Sequence, residues 1–431
     1  MSHKTNIAET VVNHLCHSCG ACSGVCPTDA IDFHETTGGH IYPEVNEEQC
    51  IDCGLCLDVC SGQHFNDNLM NNIPSDPFVG NVKEAWIGRD TDQAVFENAQ
   101  SGGVATSILV HAFQTKKINA ALVVGMDEGI PPKPSVLVAR SENELRNSQK
   151  SKYAPVPILS ALKKLKSEDF PVAIAGVSCQ IHSLHNIFDK VSGLRQNVAF
   201  TIGLICDRVM TTAAIDYLAE NFSEEKPFQF HYRDKKAGGY PGNIHMISND
   251  GESRIIPAKK RMSIKDYFTP ARCRICFDKM NVFSDITVGD PNGINDADRT
   301  NGESVVVSRN DKGSRMIQDA LKADVINLRR INYETITAGQ KISQKQYDWS
   351  AYAEVWKETG NKIPDYLDLI KHEAIFDTNK YDRSIRYALE LDDFSSRSDL
   401  ILFIKKAMKR QRYRDLLKLP LRMIRRLSNQ S

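Results

Sequence analysis

The pattern of apolar and polar positions changes character twice along this 431-residue chain. Over the first seventy or so residues apolar runs are short. "AIDF" and "HIYPEV" predict two small strands about a Gly38-Gly39 turn. From about Val82 the texture becomes an alternation of strands and helices. In "QSGGVATSILVHAFQ" the positions Val104, Ile108, Leu109, Ala112 and Phe113 share one helical face, and Ser101 is the predicted N-cap. "NAALVVGM" (119–126) predicts a buried strand, and "SKYAPVPILSALKKLKS" a loop and a helix. "PVAIAGV" then predicts a strand ending at Gly176, and "NVAFTIGLI" one ending at Ile205, with a helix from near Thr211. Strand–turn–helix units in succession imply parallel strands, whose carboxyl edge is where ligands bind. Beyond about Val325, "YDWSAYAEVWKETG" and "IPDYLDLIKHEAIF" predict helices around a Gly360-Asn361 break.

Composition narrows the function classes. Hydrophobic residues at 41% and charged residues at 25% are those of a globular protein. A formal net charge of zero gives no footing for nucleic acid. The longest apolar runs are strand-sized, well short of the eighteen or so residues that span a bilayer. The first twenty residues carry no apolar signal-peptide core, so a cytoplasmic protein is expected. Twelve cysteines in a reducing compartment point to metal rather than disulfides.

Cysteine spacing carries most of the chemistry. Cys16, Cys19, Cys22 and Cys26 form C-x2-C-x2-C-x3-C followed by Pro27, and Cys50, Cys53, Cys56 and Cys60 repeat it with Ser61 in place of the proline. This is the two-cluster [4Fe–4S] ferredoxin pattern, in which the fourth cysteine of each run serves the other cluster. Cys16, Cys19, Cys22 and Cys60 are therefore expected on one cluster, and Cys50, Cys53, Cys56 and Cys26 on the other. His14, His17, His40 and His64 lie nearby as loop or packing residues, with His17 placed to tune a potential by hydrogen bonding.

Four cysteines remain: Cys179, Cys206, Cys273 and Cys276. Cys179 and Cys206 follow two successive strands and so share one sheet edge. Together with the late Cys-x-x-Cys pair they fit a third cluster, a four-cysteine zinc site, or a dithiol switch using the pair alone. A radical-SAM triad C-x3-C-x2-C is excluded, because Asp29 and Gln63 stand where its third cysteine would fall. No Rossmann fingerprint or P-loop occurs. The Gly102-Gly103 pair at a helix start is a fit place for a phosphate.

"SGGVAT" (101–106), "SKY" (151–153), "GVSCQ" (176–180), "GLIC" (203–206) and "CRICFDKMNVFSDITVGD" (273–290) give the chain a further character. With them it resembles the coenzyme F420 hydrogenase/dehydrogenase beta subunits and their relatives, up to about Gly313. Ser178 where the family commonly has proline, and "GDPNG" at 289–293, are departures. The expected fold is α/β: a bacterial-type two-cluster ferredoxin domain (1–75) from the cysteine spacing, a mixed-sheet flavoprotein core with flanking helices (80–325) that the resemblance implies, and, beyond the resemblance, a helical C-terminal extension (326–431). The resemblance also implies a [4Fe–4S] cluster on Cys179, Cys206, Cys273 and Cys276 beside an FAD. Candidate flavin contacts are Ser101, Gly102, Gly103 and Thr106 near the phosphates, Ser151 and Lys152 as anchors, and Asp290 facing the ring; no residue stands out as a general acid or base.

A flavin beside one-electron clusters connects a two-electron substrate to a one-electron carrier. The expected function is thus an FAD-dependent iron–sulfur oxidoreductase working between a ferredoxin-type redox protein and a small two-electron substrate. The alternative is an electron-transfer polypeptide that only relays to a partner enzyme. The final stretch "ILFIKKAMKRQRYRDLLKLPLRMIRRLSNQS" is basic and amphipathic, a candidate for peripheral contact with an anionic membrane or an acidic partner.

Overall fold

A computed structural model describes residues 5–64, 69, 76–220, 222, 228–364, 366–370 and 378–411. Most of the basic tail, and residues 365 and 371–376 of the predicted "IPDYLDLIKHEAIF" helix, lie outside the described residues.

In chain order the strands are β1 (Ile31–Glu35), β2 (Ile41–Val45), β3 (Glu84–Asp90), β4 (Ala120–Met126), β5 (Pro134–Ala139), β6 (Val172–Val177), β7 (Val198–Leu204), β8 (Phe228–Asp234), β9 (Asn243–Ser248), β10 (Ser253–Ile256), β11 (Ile286–Gly289), β12 (Ser304–Ser308) and β13 (Ile326–Arg330). The largest sheet has eight strands in the order β13-β3-β12-β11-β7-β6-β4-β5. Its centre is parallel, β4 with β6, β6 with β7 and β7 with β11, and antiparallel strands complete both edges. The sheet is therefore mixed. The central strands are near-continuous apolar runs because helices cover both faces. One cluster of buried side chains brings Ile174, Ile181 and Leu184 together with Leu15, Ala21 and Val59 of the N-terminal module and with Trp349 and Trp356 of the C-terminal helices. β8, β9 and β10 form a separate antiparallel sheet.

The helix Val104–Gln114 corrects one expectation. Its N-cap is Gly103, in the left-handed region at φ 85°, and not Ser101. The Ser101 hydroxyl instead donates to the Glu303 carbonyl. Gly102 lies so close to β3 and β12 that a Cβ there would stand 2.4 Å from Gly88 O and 2.6 Å from Ser304 N. Both are backbone atoms that cannot step aside. Gly102→Ala is expected to destabilise the fold by about 1–3 kcal/mol, the usual cost of overpacking, measured as a lower thermal midpoint.

The N-terminal module is small: β1 pairs with β2, and each cysteine run is a loop about a short helix, Ala21–Val25 carrying Cys22 and Leu55–Asp58 carrying Cys56. Residues 5–64 hold nine carboxylates and no lysine or arginine. The remainder of the chain supplies the opposite charges. Lys362 pairs with Glu9 at 2.6 Å, Lys163 with Asp29 at 2.6 Å, Lys190 with Asp58 at 2.7 Å, and Lys133 and Arg397 with Glu35 at 2.7 and 2.8 Å.

A second clamp comes from the C-terminal part. Asp392 accepts hydrogen bonds from Thr36 Oγ1 (2.5 Å) and Gly38 N (2.9 Å), and its other oxygen lies 2.9 Å from His40 Nδ1. Burial alone would raise its carboxyl, but the contacts with His40, Thr36 and Gly38 N win and hold it at about 2. A depressed carboxyl contributes stability above its unfolded value near 4 and loses it as pH falls from about 4 to about 2. At pH 7, Asp392→Asn is expected to cost about 1.5–3 kcal/mol, the range for hydrogen bonds to a charged group, seen as a lower thermal midpoint.

Candidate metal centres and cofactor cradle

The twelve cysteines fall into three sets of four. Cys16, Cys19, Cys22 and Cys60 lie within electrostatic reach of one another in the buried part of the N-terminal module. Burial raises these thiols, that of Cys19 to about 11. Cys26, Cys50, Cys53 and Cys56 line a single cavity at the outer end of the module, where Cys53 is exposed. Each set thus takes three cysteines from one run and one from the other.

The third set is assembled from distant pieces of chain. Cys179 is the second residue of the helix Ser178–Lys190, directly after β6, and Cys206 follows β7. Cys273 lies on the short helix Ala271–Arg274 and Cys276 just beyond it. The Cys179 thiol, raised first by burial, also feels Cys19, Cys276, Cys206 and Cys273. The loop that carries the late pair is pinned by the C-terminal helices, since Trp349 Nε1 and the Tyr366 hydroxyl both donate to Ile275 O, at 2.9 and 3.1 Å. Among the described residues no three Cys, His, Asp or Glu side chains converge on a point that would hold a single ion.

The first and third sets face each other. Cys19 Sγ is 3.3 Å from Ser183 Oγ, Ser183 donates to Ser61 Oγ at 2.7 Å, and Ser61 donates to Cys179 O at 3.2 Å. His17 Nδ1 lies 3.3 Å from Ser61 Oγ, so His17 reaches the contact through Ser61. Ser61, which replaces the proline of the first run, is the junction of this network. Its hydroxyl has a use that proline would not supply.

The candidate flavin residues gather at the same sheet edge. β6, β7 and β11 are adjacent in the sheet, and their carboxyl ends deliver Cys179, Cys206 and Asp290 in order. Asp290 receives Arg233 Nη1 at 2.5 Å, and the same nitrogen is 3.1 Å from the Tyr153 hydroxyl. Tyr153 is linked to Gln100 at 3.5 Å, and Gln100 Oε1 accepts from Ser151 N at 3.0 Å. The Arg233 guanidinium lies 5.8 Å from the Tyr240 ring centre. Ser151 and Asp290 therefore belong to one hydrogen-bonded network, while Ser101 is held by Glu303 O and, through its own carbonyl, by Lys235. Gly102, Gly103 and Thr106 follow Ser101 at the helix start, where Thr106 N is bonded to Gly103 O at 3.0 Å and Gly102 N to Ser304 Oγ at 3.0 Å.

Lys152 is more inward than a solvated loop lysine. Its Nζ donates to Ser148 O at 2.5 Å and Gln149 O at 2.8 Å, and burial beside Lys150 lowers it to about 7. Lys235 donates to Phe96, Ser101 and Asn301 carbonyls, and burial, with Arg89 nearby, brings it to about 8. Arg261 stacks 4.5 Å from the centre of the Tyr153 ring. Three buried polar atoms here have no partner among the described residues: Arg233 Nη2, Arg261 Nε and Gln340 Oε1. Arg233, Lys235 and Tyr240 were not anticipated. Their signal is the cation-rich, glycine-broken stretch "YRDKKAGGYPG" at 232–242.

Three family models match this architecture in sequence. Residues 15–63 match a 4Fe-4S dicluster domain. Residues 85–163 match the N-terminal model of coenzyme F420 hydrogenase/dehydrogenase beta subunits, and residues 171–334 the C-terminal one. The chain belongs to the family of coenzyme F420 hydrogenase/dehydrogenase beta subunits. It is similar to a subunit of the F(420)H(2) dehydrogenase of Methanosarcina mazei, 27% identical over 66% of this chain and 77% of that protein. It is also similar to the coenzyme F420-dependent sulfite reductase of Methanocaldococcus jannaschii (25%, over 76% of this chain and 50% of that protein). The chloroplastic 7-hydroxymethyl chlorophyll a reductase of Oryza sativa is 24% identical over 65% of this chain and 62% of that protein. A chain of the F420-reducing [NiFe] hydrogenase complex of Methanosarcina barkeri shares the fold, with a TM-score of 0.51 at 20% identity over 68% of this chain and 99% of that one. As a member of this family with a dicluster domain, the chain is an iron–sulfur electron-transfer protein of oxidoreductase lineage. Among the described residues no helix is long and apolar enough to cross a membrane.

Proposed function

We propose that the chain is an FAD-dependent iron–sulfur oxidoreductase, passing electrons between a one-electron redox protein of ferredoxin type and a two-electron organic substrate. The observation that carries this is the run of three neighbouring strand ends presenting Cys179, Cys206 and Asp290 side by side. Asp290 of that run is bonded to Arg233, which also reaches Tyr153, and Ser183 and Ser61 join Cys179 to the ferredoxin-type module.

The residues present fit both groups. Four thiol sulfurs gathered from separate elements around one buried site suit a [4Fe–4S] cube, which takes four thiolates. The unpartnered nitrogens of Arg233 and Arg261 are donors for phosphate or a flavin carbonyl, and Gln340 Oε1 is an acceptor for a flavin N–H. Bound FAD exchanges electron pairs with an organic substrate and single electrons with a cluster. The protein's part is to orient it: Arg233 is fixed by Asp290 and Tyr153, Arg261 by the Tyr153 face, and the start of the helix Val104–Gln114 offers its N–H groups at the Gly103 end. The ferredoxin-type module, the core and the C-terminal extension then divide at about 75–80 and 325. A second reading, a relay without turnover of its own, is favoured by relatives that are named as subunits.

Iron, acid-labile sulfide and flavin per chain after oxygen-free purification test the proposal. About twelve irons, from four per cluster, with about one FAD are expected. About eight irons and no flavin would overturn it. Turnover of a small two-electron acceptor by the isolated protein separates the oxidoreductase from the relay.

A further inference from the structure

The contact between the first and third cysteine sets contains a buried cation whose presence neither set explains. Arg272 precedes Cys273, and its side chain is 3% exposed. Nη2 donates to Ser61 O at 3.3 Å, and the guanidinium lies 4.8 Å from the centre of the Tyr366 ring. Nε and Nη1 are buried without a partner among the described residues. A buried arginine with two idle donors is costly unless something accepts from them. The side chain lines a cavity that also holds His17, Ser61, Cys179, His182 and Cys276, so those donors open onto the space between the two sets.

Its charge is felt on both sides. Arg272 is bonded to the carbonyl of Ser61, the residue after Cys60, and directly precedes Cys273, so its charge stands at both sets. Lys345 and Arg208 add positive charge on the Cys273 side, and Asp278 adds an opposing carboxylate near Cys276. On the module side no lysine or arginine occurs between residues 5 and 64. Arg272 is the cation that the core lends to that cluster.

We propose that Arg272 is a shared positioning residue that raises the reduction potentials of the Cys16/Cys19/Cys22/Cys60 cluster and the core cluster together, without driving the two apart. This rests on the three-cluster reading above. A cluster gains negative charge on reduction, so a nearby buried cation favours the reduced form, and hydrogen bonds to cluster sulfur act in the same direction. Because one side chain serves both clusters, its effect on the difference between them is smaller than its effect on either.

The test is a potentiometric titration of the purified holoprotein followed by electron paramagnetic resonance, comparing wild type with Arg272→Gln and Arg272→Lys. In Arg272→Gln the oxidised-to-reduced equilibrium of both facing clusters is expected to move towards oxidised by at least tenfold, which is about 59 mV for one electron. The outer cluster on Cys26, Cys50, Cys53 and Cys56 is expected to stay in place. Arg272→Lys, which keeps the charge without the planar fork, should recover part of the shift. Three clusters with no shift in Arg272→Gln, or an equal shift in all three, would overturn the assignment. Two clusters in the wild type would instead overturn the reading beneath it, and iron content reports that outcome independently.

Discussion

The double replacement Cys206→Ala/Cys276→Ala is expected to leave about eight of about twelve irons, the arithmetic of losing one four-iron cluster, while the ferredoxin-type clusters and the fold survive. Alanine suits these positions because an unligated buried cysteine behaves as a small hydrophobe. Neither residue carries the local backbone: Cys206 N is bonded to Lys279 O, and Ile275 O is held by Trp349 and Tyr366. Flavin should remain, since Arg233 is held by Pro241, Tyr153 and Asp290 and not by these cysteines. What should disappear is reduction of that flavin by electrons entering at the module, because Cys179 O is bonded to Ser61 of the module while Cys179 and Cys206 follow the strands next to the one that delivers Asp290. Rapid mixing of the reduced module partner with the variant checks this. Unchanged iron content would rule out a cluster at the third set, and unchanged flavin reduction would place the electron path elsewhere.

Much of this site was legible in the sequence because iron–sulfur ligation is written in local spacing. Two C-x2-C-x2-C-x3-C runs need no tertiary information to be read, and each run folds as the short loop that wraps three corners of a cube. The third set was legible in a different way. Strand-ending positions follow from the apolar runs "VAIAGV" and "AFTIGLI", so Cys179 and Cys206 could be put on one edge from the chain alone. The parallel register of β6 with β7 places them there. What could not be read was which side chains the folded chain brings to that edge from outside it. Arg233 comes from the separate β8–β10 sheet, and Gln340 from beyond β13. Nothing periodic links such residues to the sheet they serve. Ser101 shows the opposite failure. A serine before a helix is a good N-cap by propensity, but the requirement for Gly102 to pack against Gly88 and Ser304 shifts the helix start to Gly103.

Arg233→Lys is expected to lower FAD affinity at least tenfold, about 1.4 kcal/mol, without changing iron content. Arg233 is 4% exposed and uses two of its three nitrogens, Nε to Pro241 O at 2.7 Å and Nη1 to Asp290 and Tyr153, with Nη2 left over inside the cradle. A lysine can satisfy Asp290 but cannot at the same time keep a second planar donor in place for a phosphate or ring carbonyl. Arg233→Met removes the charge as well, and its effect mixes two causes, because Asp290 then loses its cation inside a largely buried network. The double variant Arg233→Met/Asp290→Asn separates them: it should regain the thermal stability that Arg233→Met loses, yet remain without flavin. Tight flavin binding in that double variant would show that Arg233 serves only to hold the fold, and the cradle would have to be sought around Lys152 and Lys235 instead.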